Sequence, residues 1–420
     1  MESLVLSLFL GLFAVQLAVE TGLLLLNLRH AARERGVPGP LAGQIAGEVA
    51  DRSRAYTLAN GRLGLVQGLW EAALTLVIVL SGLLPWLDQA LGTRRLSGAH
   101  LFVVYLAVLA GGSALLDLPF SAWRTFVLEA RFGFNRSTPR LWVMDRLKGL
   151  GLQVLLGVPF LYAVYGFMRF TGPWWWLWLL GFLVGYQLLL LWAWPTFIAP
   201  LFNRFQPLPA GPLRARLEEL ASAARFAHRG LFVMDASRRS GHSNAYFTGL
   251  FRPRIILFDT LVERMSVDEA ASVLAHEIGH YRRRHLHRSL AVSIGTTLVG
   301  LFVLSRLVPW PPLYAAFGFA APSLHAALAL ASLCGGAFLF WLAPLLARLS
   351  RRHEYEADRY AVELARAPAA LKSALVRLNG ENLSNLHPHP WYSAWHYSHP
   401  TLVERLAAID RAAELTTLAA

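Results

Sequence analysis

The chain has 420 residues, of which 55% are hydrophobic and 15% are charged, and its formal net charge at pH 7 is +13. This composition is too apolar for an ordinary soluble domain and is typical of a polytopic membrane protein. The positive charge does not point to nucleic acid as a partner, because the arginines flank apolar segments and the sequence contains neither a recognition helix nor an aromatic RNA-binding motif.

Seven apolar segments are each long enough to cross a membrane. They lie at about 3–28, 63–86, 100–120, 150–170, 174–195, 288–308 and 324–348. The first has no basic start and no small-residue cleavage site, so we expect a retained helix rather than a signal peptide. The last contains Cys334, the only cysteine, which excludes disulfides within the chain and thiolate zinc sites.

Basic residues are distributed unevenly between these spans. If the N-terminus lies outside, the segment 29–61 faces the cytoplasm with five arginines, and 121–149 does so with five arginines and one lysine. The outside segments carry only Arg94 and Arg95, so the positive-inside rule predicts an outer N-terminus and a cytoplasmic C-terminus. Because the chain is rich in Ala, Leu and Arg and poor in Lys, we expect the inner membrane of a bacterium with GC-rich DNA.

A mainly soluble segment follows the fifth span. It is expected to contain a helix at 212–226 and two short strands at 230–234 and 254–258. Asn244 and Ala245 precede the second strand. An edge strand here could bind an extended peptide through its backbone, which needs no particular side chains. The alternative is a small hairpin that only covers the neighbouring site.

A His-Glu-x-x-His motif follows, formed by His276, Glu277 and His280. A capping box that starts at Ser266 predicts a helix over about 268–284. Residues four apart lie on one helix face, so the two histidines could bind a single metal ion. Glu277 is turned about 100° away, close enough to polarise a water on that ion without binding it.

A third metal ligand is expected from the charged segment after the seventh span. Zinc hydrolases use three protein ligands and one open position, and two His with one Glu is a common set. Glu354 could complete this set, and Asp358, one helical turn on, could hold an imidazole N–H. Taken alone, this segment could equally be a solvated charged helix. Spans six and seven form a hairpin, however, which returns Glu354 to the membrane face that carries His276.

The remaining histidines occur mainly in or near loops. We expect His285, His287, His387 and His389 to be surface residues, and helical segments near 359–379 and 400–413.

Together these segments resemble the zinc-dependent CAAX prenyl proteases of the Ste24 type, in the M48 metallopeptidase family. The resemblance runs along nearly the whole chain and includes both metal motifs. Its further segments are Leu118-Pro119-Phe120, Gly133-Phe134-Asn135, Ile198-Ala199-Pro200-Leu201-Phe202-Asn203, Ser243-Asn244-Ala245-Tyr246-Phe247 and Ser398-His399-Pro400. It implies an all-α polytopic fold in which seven transmembrane helices form a barrel around a large chamber, with a small α+β cytoplasmic insert that carries the zinc-binding helix.

The resemblance also implies a division of the chain and a set of roles. Residues 1–198 would form an N-terminal membrane domain, and 199–420 the metallopeptidase domain. The zinc ion, one per chain, would be bound by His276, His280 and Glu354, with Glu277 as the general base and Asp358 behind the ligands. His399 and Arg405 would stabilise the transition state, and Asn244 with Ala245 would bind the substrate backbone.

The expected function is therefore a zinc metalloendopeptidase in a membrane chamber. Zinc lowers the pKa of a bound water, and Glu277 takes its proton and passes it to the leaving amine. The substrates would be peptides or proteins that are membrane-associated or CAAX-like, with or without a lipid. The alternative is a catalytically inactive chamber protein, a transporter or a lipid-binding barrel, with a vestigial metal site.

Overall fold

The computed structural model describes residues 1–94, 96, 98–249 and 253–418. Within these residues seven helices are long and apolar enough to cross a membrane, and we number them spans 1 to 7: Glu2–Arg33, Gly47–Leu80, Gly98–Glu129, Pro139–Phe170, Gly172–Phe202, His285–Leu307 and Leu324–Ala365. Shorter helices are Leu83–Gly92, Pro212–Ala223, Asp259–Arg264, Val267–Arg282, Pro311–Ala315, Pro368–Glu381, Pro390–His396 and Leu402–Leu418. Arg95, which contributes to the charge asymmetry, lies outside the described residues.

The number of spans agrees with the hydropathy of the sequence, but several boundaries differ. Span 2 begins at Gly47 and ends at Leu80, whereas apolar residues alone suggested 63–86. Its first turns are polar and extend beyond the apolar part, which hydropathy cannot detect. The chain then breaks at Gly82, whose positive φ of 77° suits glycine, and continues as the separate helix Leu83–Gly92.

The spans do not pack into a solid bundle. In the most apolar window of spans 4 and 5 only 6% of the residues are buried, and even span 7 reaches 28%. A cavity of about 280 Å³ lies between spans 1, 2 and 7, and polar side chains such as Gln16, Glu20 and Glu71 line it. Helices that are exposed on two sides, with polar groups on one of them, indicate a barrel with a wet interior.

The segment after span 5 contains a four-stranded sheet. Its strands are β1 (Phe205–Pro207), β2 (Leu231–Met234), β3 (Ala245–Thr248) and β4 (Arg254–Phe258), in the order β1-β2-β4-β3. β2 and β4 are parallel, and the other pairs are antiparallel. The expectation that 254–258 forms the exposed edge is therefore wrong: β4 is paired on both sides, and β3 is the terminal strand.

The helix Val267–Arg282, called the motif helix below, begins with the expected capping box between Ser266 and Glu269. It packs against span 7 through small residues. A Cβ atom on Gly279 would lie 3.0 Å from both the Cα and the carbonyl oxygen of Ala357. The two helices thus meet at the level of their backbones, with buried Ala275 and Ala361 beside the contact.

A polar cluster joins this insert to span 3. His242 Nε2 lies 3.3 Å from the Glu129 carboxylate, which also accepts a hydrogen bond of 2.7 Å from Tyr56. His242 Nδ1 lies 3.0 Å from Oδ1 of Asn382, and its ring stacks on Phe134. Because both ring nitrogens face acceptor oxygens, the protonated imidazole is favoured. The hydrogen bond to Glu129 raises the pKa of His242 above its ordinary value, although burial opposes this.

This cluster predicts a pH dependence of stability. The pKa of His242 is higher in the folded than in the unfolded chain, so its contribution is fully present below about pH 6.5 and is lost as the pH rises through the folded pKa. We expect the melting temperature in detergent to fall as the pH rises above about 6.5, and to fall less in His242→Gln. His287→Gln, on an exposed residue, is the control. Equal pH dependence in His242→Gln and the unaltered protein would contradict the prediction.

Candidate active site

The contact between the motif helix and span 7 brings three expected metal ligands together. Nε2 of His276 and Nε2 of His280 are 3.1 Å apart. Glu354 Oε2 lies 3.5 Å from the first, and Glu354 Oε1 lies 3.3 Å from the second. Among the described residues, this is the group of His, Cys, Asp and Glu side chains whose ligand atoms converge within 4.8 Å.

These three side chains fit a metal ion. Tetrahedral zinc with ligands at about 2.0–2.1 Å separates neighbouring donor atoms by about 3.3–3.4 Å, close to the spacing of His276, His280 and Glu354. Two imidazole nitrogens that face each other repel unless a cation or a proton lies between them. Glu354 Oε2 is buried and accepts no aligned hydrogen bond, which leaves it available to a cation.

His276 is held in a fixed orientation from behind. Its Nδ1 lies 2.8 Å from Oδ1 of Asp358, so Nδ1 is the donor and Nε2 faces the cluster. Arg405 binds both oxygens of Asp358, at 2.8 and 2.6 Å. Burial lowers the pKa of His276, but the hydrogen bonds to Asp358 and Glu354 outweigh burial and raise it to about 9. The site therefore attracts positive charge strongly.

Glu277 lies beside this cluster but takes no part in it. Its carboxylate is half-buried, and among the described residues it forms no hydrogen bond or ion pair. Burial raises the pKa of Glu277, which the imidazoles of His276 and His280 oppose. A carboxylate that has no hydrogen-bond partner and a raised pKa is suited to accept and return a proton.

His399 reaches the same cluster from the C-terminal part of the chain. Its Nδ1 is 3.0 Å from Oε2 of Glu354, while 64% of its side chain is exposed. Arg351, one turn before Glu354 on span 7, holds the preceding segment by donating to the carbonyl oxygens of Ser393, Ala394 and Tyr397. His399 thus has one side on the cluster and the other open to a ligand. The Arg405 guanidinium, in contrast, forms its short hydrogen bonds with Asp358, and its Nη1 lies 3.6 Å from Oε2 of Glu354.

Asn244 and Ala245 belong to the sheet and not to the two helices that form the cluster. Asn244 is exposed at the start of β3, and its side chain accepts a hydrogen bond of 2.8 Å from the backbone N–H of Ala245. Among the described residues no hydrogen bond or ion pair joins it to the metal cluster. β3 nevertheless packs beside the motif helix, where Phe247 contacts Tyr281 edge-on.

The sequence analysis assigned no role to two residues near the cluster, His285 and Glu356. His285, expected at the surface, is 4% exposed, and its Nδ1 lies 2.9 Å from Nδ1 of His280. Its Nε2 lies 3.2 Å from Glu356. On a continuous helix His280 and His285 would point about 140° apart. They meet because Arg284, between the motif helix and span 6, adopts a left-handed conformation with φ 55°. Neither residue spacing nor composition signals this bend.

Comparison of the sequence with known proteins identifies the family. The N-terminal domain described as "CAAX prenyl protease N-terminal, five membrane helices" matches residues 27–204, and "Peptidase family M48" matches residues 207–413. The chain is 39% identical to "CAAX prenyl protease 1 homolog" of Oryza sativa subsp. japonica, over 90% of each chain. It is 36% identical to "CAAX prenyl protease 1" of Saccharomyces cerevisiae, over 91% of this chain and 90% of that protein.

The fold is likewise that of a solved relative. The crystal structure of Ste24p from S. mikatae superposes with a TM-score of 0.90 at 32% identity and covers 98% of this chain and 99% of its own. The seven-span chamber architecture is thereby confirmed, and relatives named as proteases favour the enzyme over an inactive chamber protein. The chain belongs to the M48 peptidase family, in its Ste24-type CAAX prenyl protease branch, and is a membrane zinc metalloprotease.

Proposed function

We propose that this protein is an endopeptidase whose zinc ion is bound by His276, His280 and Glu354. The observation that carries the proposal is the convergence of one ligand atom from each of these residues within 4.8 Å, where the two imidazole nitrogens lie 3.1 Å apart and the Glu354 carboxylate lies 3.3 to 3.5 Å from them. Two nitrogens and one oxygen leave a fourth position open in a tetrahedral site, as in catalytic rather than structural zinc sites.

The chain's own residues supply the remaining chemistry. His276, His280 and Glu354 would hold a zinc ion that, when bound, would make a water more acidic and polarise the scissile carbonyl. Glu277 accepts the proton of the attacking water and returns it to the leaving amine. His399, with its exposed face, donates a hydrogen bond to the oxygen on which negative charge develops, and such a donor contributes about 3 kcal/mol. Asp358 keeps His276 in the correct tautomer, and Arg405 acts through Asp358 by holding its carboxylate in place.

The proposed zinc site predicts that substitutions can separate zinc binding from peptide cleavage. Purified protein should contain about one zinc ion per chain by elemental analysis. His276→Ala and Glu354→Ala should lose the ion, because each removes a ligand. Glu277→Gln should keep the ion but lose cleavage by about a hundredfold or more, because the amide cannot accept a proton.

His287→Ala, which changes an exposed histidine close to the site, is the control for both measurements. Full cleavage by a zinc-loaded Glu277→Gln variant would overturn the mechanism, and a full zinc content in Glu354→Ala would overturn the ligand set.

We further propose that substrates are membrane-associated polypeptides with CAAX-like C-termini. The curated relatives are named CAAX prenyl proteases, which supports a prenylated peptide as one substrate. β3 supports backbone recognition, because it is the terminal strand of the sheet and lies beside the motif helix. An extended peptide on this edge would run past Asn244 with its amides paired to the strand. Nucleic acid has no role in this function.

If the β3 edge binds the peptide backbone, the effect of Asn244→Ala should not depend on the peptide sequence. We expect zinc content and melting temperature to be retained and kcat/KM to fall by a similar factor, about tenfold, for several unrelated peptides. Gln206→Ala, on β1 at the opposite edge of the sheet, is the matched control. Unchanged cleavage of every peptide by a folded Asn244→Ala variant would exclude this binding mode.

The proposed location is the inner membrane of a bacterium, with the zinc site and the C-terminus in the cytoplasm. The charge distribution of the connecting segments supports this orientation. We also propose that the membrane and metallopeptidase domains divide after residue 198, near the end of span 5.

The orientation predicts the behaviour of reporter fusions. Fusions after Arg35, after Arg140 and at the C-terminus should report the cytoplasm, because one, three and seven spans separate them from the outer N-terminus. A fusion after Arg94 follows two spans and should report the periplasm. A periplasmic C-terminus with an outer N-terminus would require an even number of spans and would contradict the orientation.

A further inference from the structure

His280 is oriented differently from the other proposed histidine ligand. His276 donates from Nδ1 directly to a carboxylate, that of Asp358. Among the described residues no carboxylate contacts Nδ1 of His280. Its partner is the imidazole of His285, at 2.9 Å between the two Nδ1 atoms. His285 in turn lies 3.2 Å from Oε2 of Glu356 through its Nε2. The buried chain therefore runs from a carboxylate through one imidazole to the next.

The chemistry of these groups fixes which atom carries each proton. An ionised carboxylate only accepts hydrogen bonds, so Nε2 of His285 is the donor to Glu356. A neutral imidazole has one donor and one acceptor, which makes Nδ1 of His285 the acceptor. Nδ1 of His280 must then be the donor, and its Nε2 carries the free lone pair. This is the nitrogen that faces His276 and Glu354, so the chain selects the tautomer of His280 that can bind a metal.

We propose that His285 is a positioning residue for the zinc ligand His280. Its imidazole accepts a hydrogen bond from Nδ1 of His280 and donates one to Glu356, and so links the ligand to a carboxylate. This inference rests on the proposed zinc site. It assigns a role to a buried side chain that the mechanism does not otherwise use, since metal-binding histidines are oriented and made more basic by the acceptor behind them.

The surrounding structure holds the bridge in place. His285 is 4% exposed, and its ring stacks on that of His353 at 4.2 Å with an interplanar angle of 12°. Arg288 and Arg352 fix the carboxylate of Glu356, at 2.9 and 3.0 Å. The bend at Arg284, with its left-handed φ of 55°, turns His285 towards His280.

The test compares two substitutions, one that removes the hydrogen bonds of His285 and one that keeps them. His285→Phe keeps an aromatic ring for the stack on His353 but neither accepts from His280 nor donates to Glu356. His285→Gln keeps one acceptor and one donor at a similar separation. The zinc dissociation constant is measured in full-length purified protein by competition with a fluorescent chelator. The melting temperature of the zinc-free protein is measured beside it, and His287→Phe on the exposed face of the same helix is the control.

We expect His285→Phe to weaken zinc binding by about 10- to 100-fold, and His285→Gln to restore it to within about threefold of the unaltered protein. The zinc-free melting temperatures should agree. Equal zinc affinity in His285→Phe and the unaltered protein would overturn the inference while the zinc site stands. So would a loss that Gln does not restore and that follows a lower zinc-free melting temperature, because the role would then be structural. Failure of the unaltered protein to bind zinc would overturn the proposed function itself.

Discussion

The site depends on one close contact, that between the motif helix and span 7. Gly279 faces Ala357 so closely that an added Cβ atom would lie 3.0 Å from backbone atoms. This contact sets the distance between the two histidines on one helix and the carboxylate of Glu354 on the other. Metal sites tolerate deviations of only about 0.2 Å in ligand distance, so the helices need backbone contact and not merely proximity. The hairpin of spans 6 and 7 makes the contact possible.

The second constraint is electrostatic. Span 7 carries Glu354, Glu356 and Asp358 within about one helical turn, and Glu354 and Asp358 are buried. A buried carboxylate is costly unless it is paired, because its water is lost. Arg405 pairs with Asp358, and two arginines pair with Glu356. Glu354 has three imidazoles around it. Its Oε2 also lies 3.6 Å from Nη1 of Arg405, yet it accepts no aligned hydrogen bond. In the proposed zinc site, metal binding would be coupled to stability.

The insert connects this chemistry to the barrel. His242, bound to Glu129 of span 3, lies two residues before Asn244 at the start of β3. The position of the exposed sheet edge is thus fixed relative to the membrane spans as well as to the motif helix. A peptide would therefore bind to an edge that the membrane spans and the motif helix both hold in place. Because such a surface is already ordered, less entropy is lost on binding.

The sequence by itself determined the number of spans, the helix that carries His276 and His280, and the identity of Glu354 as a candidate partner. Hydropathy and helical periodicity are local properties, and the hairpin argument needed only the number of crossings between the two motifs. The tertiary structure alone decided which strand forms the free edge, because strand order depends on pairing between segments distant in the chain. It also decided the role of His285. Helical periodicity directs His285 away from His280, and only the left-handed turn at Arg284 reverses that direction. The contacts of His285 with Glu356 and His353 of span 7 hold the side chain in this position.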